Sequence, residues 1–298
     1  MSEQFTQSQG IHEIRWLGCE VWLIIEPWGE LVISKLGAQV LHYQPAGQSA
    51  VFWLNKSSGP LCQKQSALAN NTDSVEAIRA GAPLCWPWFG PHESDESQPN
   101  HGFARIANWQ LVNCVLQGDS TKITKLQFSP ISELYAGLTL MFELEISDQQ
   151  LTMKLVTTNV SDQPQPLTQA IHSYFLVGDS EKVTVSGLKG CEYIDKLADN
   201  SLGKQRDELA EIKAIDSIYK HTGDVVVIDP VLKRKLHIRK EQSGSTVVWN
   251  PGSMAKSYDI LADHRAFVCV EAANTAHEGL VLAANQRVTL MQSVKVES

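Results

Sequence analysis

Short apolar runs, each closed by glycine, proline, asparagine or aspartate, recur along nearly the whole chain and leave little room for helix. Val21-Trp-Leu-Ile-Ile25 is followed by Pro27-Trp-Gly29, Leu31-Val-Ile-Ser34 by Gly37, Gln39-Val-Leu-His-Tyr43 by Pro45-Ala-Gly47, and Ala50-Val-Phe-Trp-Leu54 by Asn55. The pattern resumes with Trp109 to Leu116, Thr121 to Phe128, Leu138 to Ile146 and Leu151 to Val160. It continues through Lys182 to Val185, Asp224 to Ile228, Lys235 to Ile238 and Ser245 to Trp249, then Phe267 to Glu271, Gly279 to Leu282 and Arg287 to Val296. β-Branched and aromatic residues fit a pleated, half-buried surface, and many short strands with frequent turns mean a sandwich or barrel. Leu138–Ile146 and Leu151–Asn159 read as a hairpin closed by Ser147-Asp-Gln-Gln150. The best helical candidate is the polar stretch Lys204 to Ala214. The expected fold class is therefore all-β, a large antiparallel β-sandwich with few short helices. One domain over residues 1–298 is expected, with 1–13 as a loosely ordered N-terminal extension.

The chain's 298 residues, 43% hydrophobic and 19% charged, are ample for a large core. A net charge of −8 without any lysine/arginine run gives no support for nucleic-acid binding. The apolar runs are far too short to cross a bilayer, so no membrane partner is expected. Six cysteines, at 19, 62, 85, 114, 191 and 269, form no C-x-x-C pair, and the first ten residues are polar. Free thiols and a cytoplasmic location are the expectation.

One stretch breaks the strand pattern. Arg79-Ala-Gly-Ala-Pro-Leu-Cys-Trp-Pro-Trp-Phe-Gly-Pro-His92 carries prolines and glycines among large aromatics, so it is neither a helix interior nor a central strand. Exposing Trp86, Trp88 and Phe89 together would leave a sticky patch. A rigid loop lining a cavity avoids that, with Arg79, His101 and Arg105 at its edges. Aromatic walls with a few convergent polar groups describe a small-molecule site, and arginine forks suit phosphate or carboxylate. Residues 91–100 read as a surface excursion beside it, and 55–78 as an irregular polar connection.

Further candidates stand on or beside apolar strands: His172 in Ala170-Ile-His-Ser-Tyr-Phe175, Asp195 in Cys191-Glu-Tyr-Ile-Asp195, and Glu271 ending Phe267-Val-Cys-Val-Glu271. Singly, each has a plainer explanation. A lone histidine on an apolar strand is more often a hydrogen-bonded core residue, and a lone glutamate is more often solvated or ion-paired. Asp195 reads equally as a turn aspartate, Arg105 as a rim salt bridge, and the tryptophans as core aromatics.

Together, however, the segments Ile78–Gly90, His101-Gly-Phe-Ala-Arg105 with Trp109, Ile171-His-Ser-Tyr-Phe175, Tyr193-Ile-Asp-Lys196, Trp249-Asn-Pro251 and Val270-Glu271 resemble the aldose 1-epimerase (mutarotase) superfamily. Within it, the chain looks most like the branch of glucose-6-phosphate 1-epimerase, or D-hexose-6-phosphate epimerase-like proteins. The chain departs from the expected pattern at Ala80, where a second glycine is anticipated, and after Glu271. The resemblance implies a β-sandwich with its site in a cleft on one sheet. It also implies an isomerase of α and β hexose 6-phosphate anomers, working by acid/base ring opening with a base and an acid on opposite sides of the anomeric centre. Glu271 would be the base at O1 and His172 the acid at O5, with His101 assisting at the ring oxygen and Asp195 orienting hydroxyls. Arg79 and Arg105 would hold the 6-phosphate, and Trp86 and Trp88 would wall the sugar. The expected partner is a small-molecule sugar phosphate, the expected state a monomer, and neither cofactor nor metal is required. Competing readings are an epimerase of unphosphorylated aldoses, a non-catalytic sugar-binding sandwich, and a metal enzyme using His101, His172 and Glu271.

Overall fold

Alternation decides which side chains go inside. On the strand Leu138–Ser147, Leu138, Leu140, Phe142, Leu144 and Ile146 are buried while Thr139, Met141, Glu143 and Glu145 point outward. Each fully buried side chain of this kind stabilises the fold by about 1.5–3 kcal/mol. The next strand, Gln150–Asn159, pairs with it in register from Leu138↔Asn159 to Ser147↔Gln150. Asp148, at φ 46°, takes the left-handed conformation that a two-residue hairpin connection demands. A computed structural model describes residues 5–55, 61, 77–116, 123–254 and 263–298.

Three antiparallel sheets carry the architecture. Gly10–Trp16, Cys19–Glu26, Gly29–Ser34 and Val40–Pro45 form a four-stranded meander. A nine-stranded sheet runs from Leu209–Ala210 at one edge to Trp109–Val115 at the other, with Arg287–Glu297 near its centre. An eight-stranded sheet is centred on Ser245–Asn250 and Phe267–Asn274. One continuous core joins all three, running from Trp22 and Ile24 through Phe128 and Phe142 to Leu84, Val248 and Val270. Ser245–Asn250 and Phe267–Asn274 are buried on both faces. Their second face is covered by a smaller cluster of Trp53, Tyr174, Trp249, Phe267 and Cys269.

Several expectations are corrected. Lys204–Ala214 is not a helix: the strand Ser201–Lys204 runs into it and Leu209–Ala210 pairs with Thr184–Ser186. Pairing partners from distant sequence override a weak helical preference. Among the described residues the helical pieces are 3₁₀ turns such as Ala104–Ile106. The N-terminal extension ends sooner than expected, because Gly10 already pairs with Ile25. Ala50–Leu54 is not a full strand: it forms the bridge Phe52↔Phe175, with Val51 and Trp53 N–H donating to the Tyr43 and Tyr174 carbonyls. Cys19 is disulfide-bonded, against the expectation of free thiols, whereas Cys85, Cys114, Cys191 and Cys269 are free. A pairing set by three-dimensional proximity leaves no trace in linear spacing. Most of the 55–78 connection lies outside the described residues. No helix among the described residues is long and apolar enough to cross a membrane.

Candidate active site

The strand Phe267–Asn274 is flanked on one side by two short strands in line, Gln169–Ile171 and Tyr174–Leu176. Their registers, Ile171↔Ala272 and Tyr174↔Cys269, belong to one continuous ladder interrupted at residues 172 and 173. Continuing the register across the gap sets His172 opposite Glu271 and Ser173 opposite Val270. Directly opposed residues share a sheet face, with Cβ atoms about 4.5–5.5 Å apart. His172 Nδ1 accordingly lies 3.3 Å from Glu271 Oε1. The gap is held from outside the ladder: His172 N–H donates to the Pro83 carbonyl at 2.9 Å and Tyr174 N–H to the Gly81 carbonyl at 2.8 Å. The aromatic-proline stretch thus supports the histidine from the side.

Glu271 is fully buried, and neither its carboxylate oxygens nor His172 Nδ1 has an aligned hydrogen-bond partner. Burial pushes the Glu271 carboxyl well above the usual carboxylate range, with Asp216 adding to the rise. Burial and then the charge of Arg105 and Arg79 bring His172 down to about 3. Burial thus favours the uncharged form of both groups, a carboxylic acid beside a neutral imidazole. The His172 ring stacks on Tyr174 at 4.8 Å and meets Trp249 edge-on at 6.2 Å.

His101 approaches the pair from the loop that follows the aromatic stretch, its ring 5.8 Å from that of His172. It adopts φ 63°, and Gly102 follows at φ 70°. A Cβ on Gly102 would sit 2.1 Å from the Trp86 carbonyl oxygen, so only glycine permits this close passage. His101 Nδ1 accepts from Gly90 N–H at 3.1 Å, which leaves the proton of a neutral ring on Nε2. Burial, reinforced by Arg105, His172 and Arg79, keeps that ring well below the ordinary histidine range. Arg105 is half-buried; one terminal nitrogen donates to the Asn100 carbonyl, and its Nε is buried without a partner. Arg79 is exposed at the rim. Both guanidinium groups act on the two histidines, so the structure brings Arg79, His101, Arg105, His172 and Glu271 into one neighbourhood.

A family model described as aldose 1-epimerase matches residues 22–295, nearly the whole chain. The chain belongs to the aldose 1-epimerase family. Over 280 residues it is 31% identical to a protein of Escherichia coli (strain K12) named "Putative glucose-6-phosphate 1-epimerase", covering 87% of this chain and 84% of that one. The crystal structure of "a putative mutarotase (YeaD)" from Salmonella typhimurium matches with a TM-score of 0.81 at 26% identity, over 97% of this chain and 94% of the other. Galactose 1-epimerase from Lactobacillus acidophilus NCFM shares the fold at 13% identity, with a TM-score of 0.67 over 97% of this chain and 99% of its own.

Against that family background, three expected positions fall elsewhere. Trp86 does not wall the site: it is fully buried in the main core, and its indole donates to Thr157 Oγ1 at 2.9 Å. Trp88 is half-buried, donates to the Pro99 carbonyl at 3.0 Å and packs edge-on against His92 and Phe103. It braces the 91–100 excursion. Asp195 sits in register with Ser217, Val248 and Val270, the row facing the core side of its sheet, and its carboxylate caps Leu197 N–H at 2.9 Å. It lines a separate recess of about 230 Å³ with Tyr193 and Gln205.

The carboxylate on the Glu271 face is Asp216, in register with Trp249 and Cys269. Burial pushes Asp216 above the usual carboxylate range. The strand Ile215–Lys220 reads Ile-Asp-Ser-Ile-Tyr-Lys, which does not alternate apolar with polar, so the sequence carries no signal for the face that Asp216 takes. Trp249, Phe89 and Tyr174 supply the aromatic surfaces near the histidines. His172, Cys269 and Glu271 place possible metal-ligating atoms within 4.8 Å of one another; His101 is not in that group.

Proposed function

We propose that this member of the aldose 1-epimerase family interconverts the α and β anomers of hexose 6-phosphates, glucose 6-phosphate foremost. The observation that carries the reading is the contact of His172 and Glu271 beside two arginines. Anomer exchange needs a proton removed from O1 and another delivered to O5. Both oxygens are bonded to the anomeric carbon, so an acid and a base standing side by side serve them. This replaces the expectation that the two groups flank the sugar from opposite sides. Glu271 takes the O1 proton while His172 protonates O5; the ring opens, the C1–C2 bond turns, and closure returns both protons. His101 donates from Nε2 to the ring oxygen side, and Asp216, rather than Asp195, orients hydroxyls.

The arginines tie substrate charge to this chemistry. Their positive charge lowers the proton affinity of His172. A bound phosphate dianion offsets that charge and favours transfer of the Glu271 carboxyl proton to the imidazole, which leaves Glu271 ready to accept from O1 and His172 ready to protonate O5. Phosphorylated sugars therefore gain in turnover as well as in binding.

Exchange NMR of the anomers, run on glucose 6-phosphate and glucose side by side, tests the reading. Wild-type enzyme is expected to favour the phosphate ester, and Arg79→Ala or Arg105→Ala to remove that preference while sparing glucose. Equal loss on both sugars would leave the arginines without a phosphate role. Preference for glucose in the wild type would make the chain an epimerase of free aldoses.

A further inference from the structure

Gln292 occupies a position patterned for an apolar residue. On the strand Arg287–Glu297, Leu290, Val294 and Val296 belong to the core, and position 292 falls in the same row. Its side chain is fully buried. A primary amide in such a place is costly unless both of its ends are hydrogen-bonded. Both are. The amide oxygen accepts from the Ser173 hydroxyl at 2.5 Å, and the amide nitrogen donates to the Val270 carbonyl at 2.9 Å.

Those two partners lie on the facing sheet, one position after His172 and one position before Glu271. They also oppose each other in register, and Val270 N–H donates to the Ser173 carbonyl at 3.3 Å. A single side chain from the nine-stranded sheet thus grips both segments at the one interruption in the ladder beside Phe267–Asn274. At that interruption regular strand pairing does not fix how His172 is presented.

We propose that Gln292 is the positioning residue of the site: a strut between the sheets that sets the separation and tilt of His172 and Glu271 through Ser173 and Val270. The proposal rests on reading those two residues as the acid/base pair. Gln292 hydrogen-bonds their chain neighbours, Ser173 and Val270, and so acts through them rather than on the reacting atoms.

The test compares wild type with Gln292→Leu, Gln292→Glu and Ser173→Ala in steady-state anomer exchange, alongside NMR titration of the His172 ring. Gln292→Leu suits the apolar row but breaks both hydrogen bonds. It is expected to lower kcat ~10-fold or more with KM changed less than ~3-fold, since small misplacements of reacting groups act mainly on the chemical step. The His172 titration should shift as well. Ser173→Ala should show a smaller change of the same kind. Gln292→Glu, protonated in that apolar setting, can still accept from Ser173 and donate to Val270, and should recover most of kcat.

A folded Gln292→Leu enzyme with wild-type kcat and wild-type His172 titration overturns the proposal. So does a loss confined to KM. Should Gln292→Leu fail to fold, Ser173→Ala decides, and unchanged kcat together with an unchanged titration is the overturning result. Failure of the wild type to exchange any sugar's anomers would refute the functional reading alone, because the ring titration still reports on the strut.

Discussion

Burial acts oppositely on an acid and a base, and at residues 172 and 271 both effects operate within one 3.3 Å contact. Removing either group leaves the other without its proton partner. Glu271→Gln and His172→Ala are each expected to lower kcat about 10²–10⁴-fold, the usual range for one positioned acid or base. The double variant should be little worse than the poorer single one, since groups acting as a unit are not additive; polarimetry on all three proteins checks this. At this scale the sequence was uneven as a guide. The resemblance names His172, Glu271, His101 and both arginines, and the structure brings these residues into one neighbourhood, with their roles a matter of the proposed function. Asp195 and Trp86 were not placed correctly, because being near a motif says nothing about which sheet face a residue takes. One residue of register separates Asp195 from the site-facing row.

Elements were easier to read than residues. Alternation such as Leu138-x-Leu140-x-Phe142-x-Leu144-x-Ile146 names both the strand and its inner face. The hairpin to Gln150–Asn159 was equally visible, since two strongly alternating runs flank a short polar link. Short strands held by remote partners, such as Leu209–Ala210, carry too little local pattern to be seen, and Ile215–Lys220 was lost behind them. The left-handed passage at His101–Gly102 is the element on which the second histidine depends. Gly102→Ala forces a Cβ against the Trp86 carbonyl as well as an unfavourable φ. We expect a loss of about 1–3 kcal/mol or more in denaturant unfolding, with kcat falling alongside. A Gly102→Ala variant as stable and as active as wild type would show that the loop adjusts freely.

Across the whole molecule, buried histidines and buried carboxyls pull stability in opposite directions in acid. His172 is brought down to about 3 and His221 to about 4, in both cases chiefly by burial, and His101 also lies well below its ordinary range. In the unfolded chain such rings take up protons near pH ~6.5. Below that pH these rings make the unfolded state bind protons that the native state does not, so their contribution to stability is full above about pH 6.5 and is lost as pH falls towards the folded values; the raised Glu271 carboxyl, protonated in the folded state where the unfolded chain has released its proton, offsets the share of one ring. Carboxylates held low by partners, such as Asp179 beside Arg265, add their share only in more acidic solution. Urea midpoints should therefore fall between about pH 6.5 and 4.5. His221→Gln, which lies outside the site, should reduce that slope; an unchanged slope would mean that His221 is not held neutral in the folded protein. The net charge of −8 forecasts none of this, and it equally conceals the local arginine pair.

The touching carboxyl and imidazole have a consequence for direction. On the proposed reading, whatever one group surrenders during opening it regains during closure, so each cycle ends as it began with nothing drawn from the surroundings. Such machinery has no forward sense. It hastens the approach of a sugar to its own mixture of forms and leaves the composition of that mixture to the sugar.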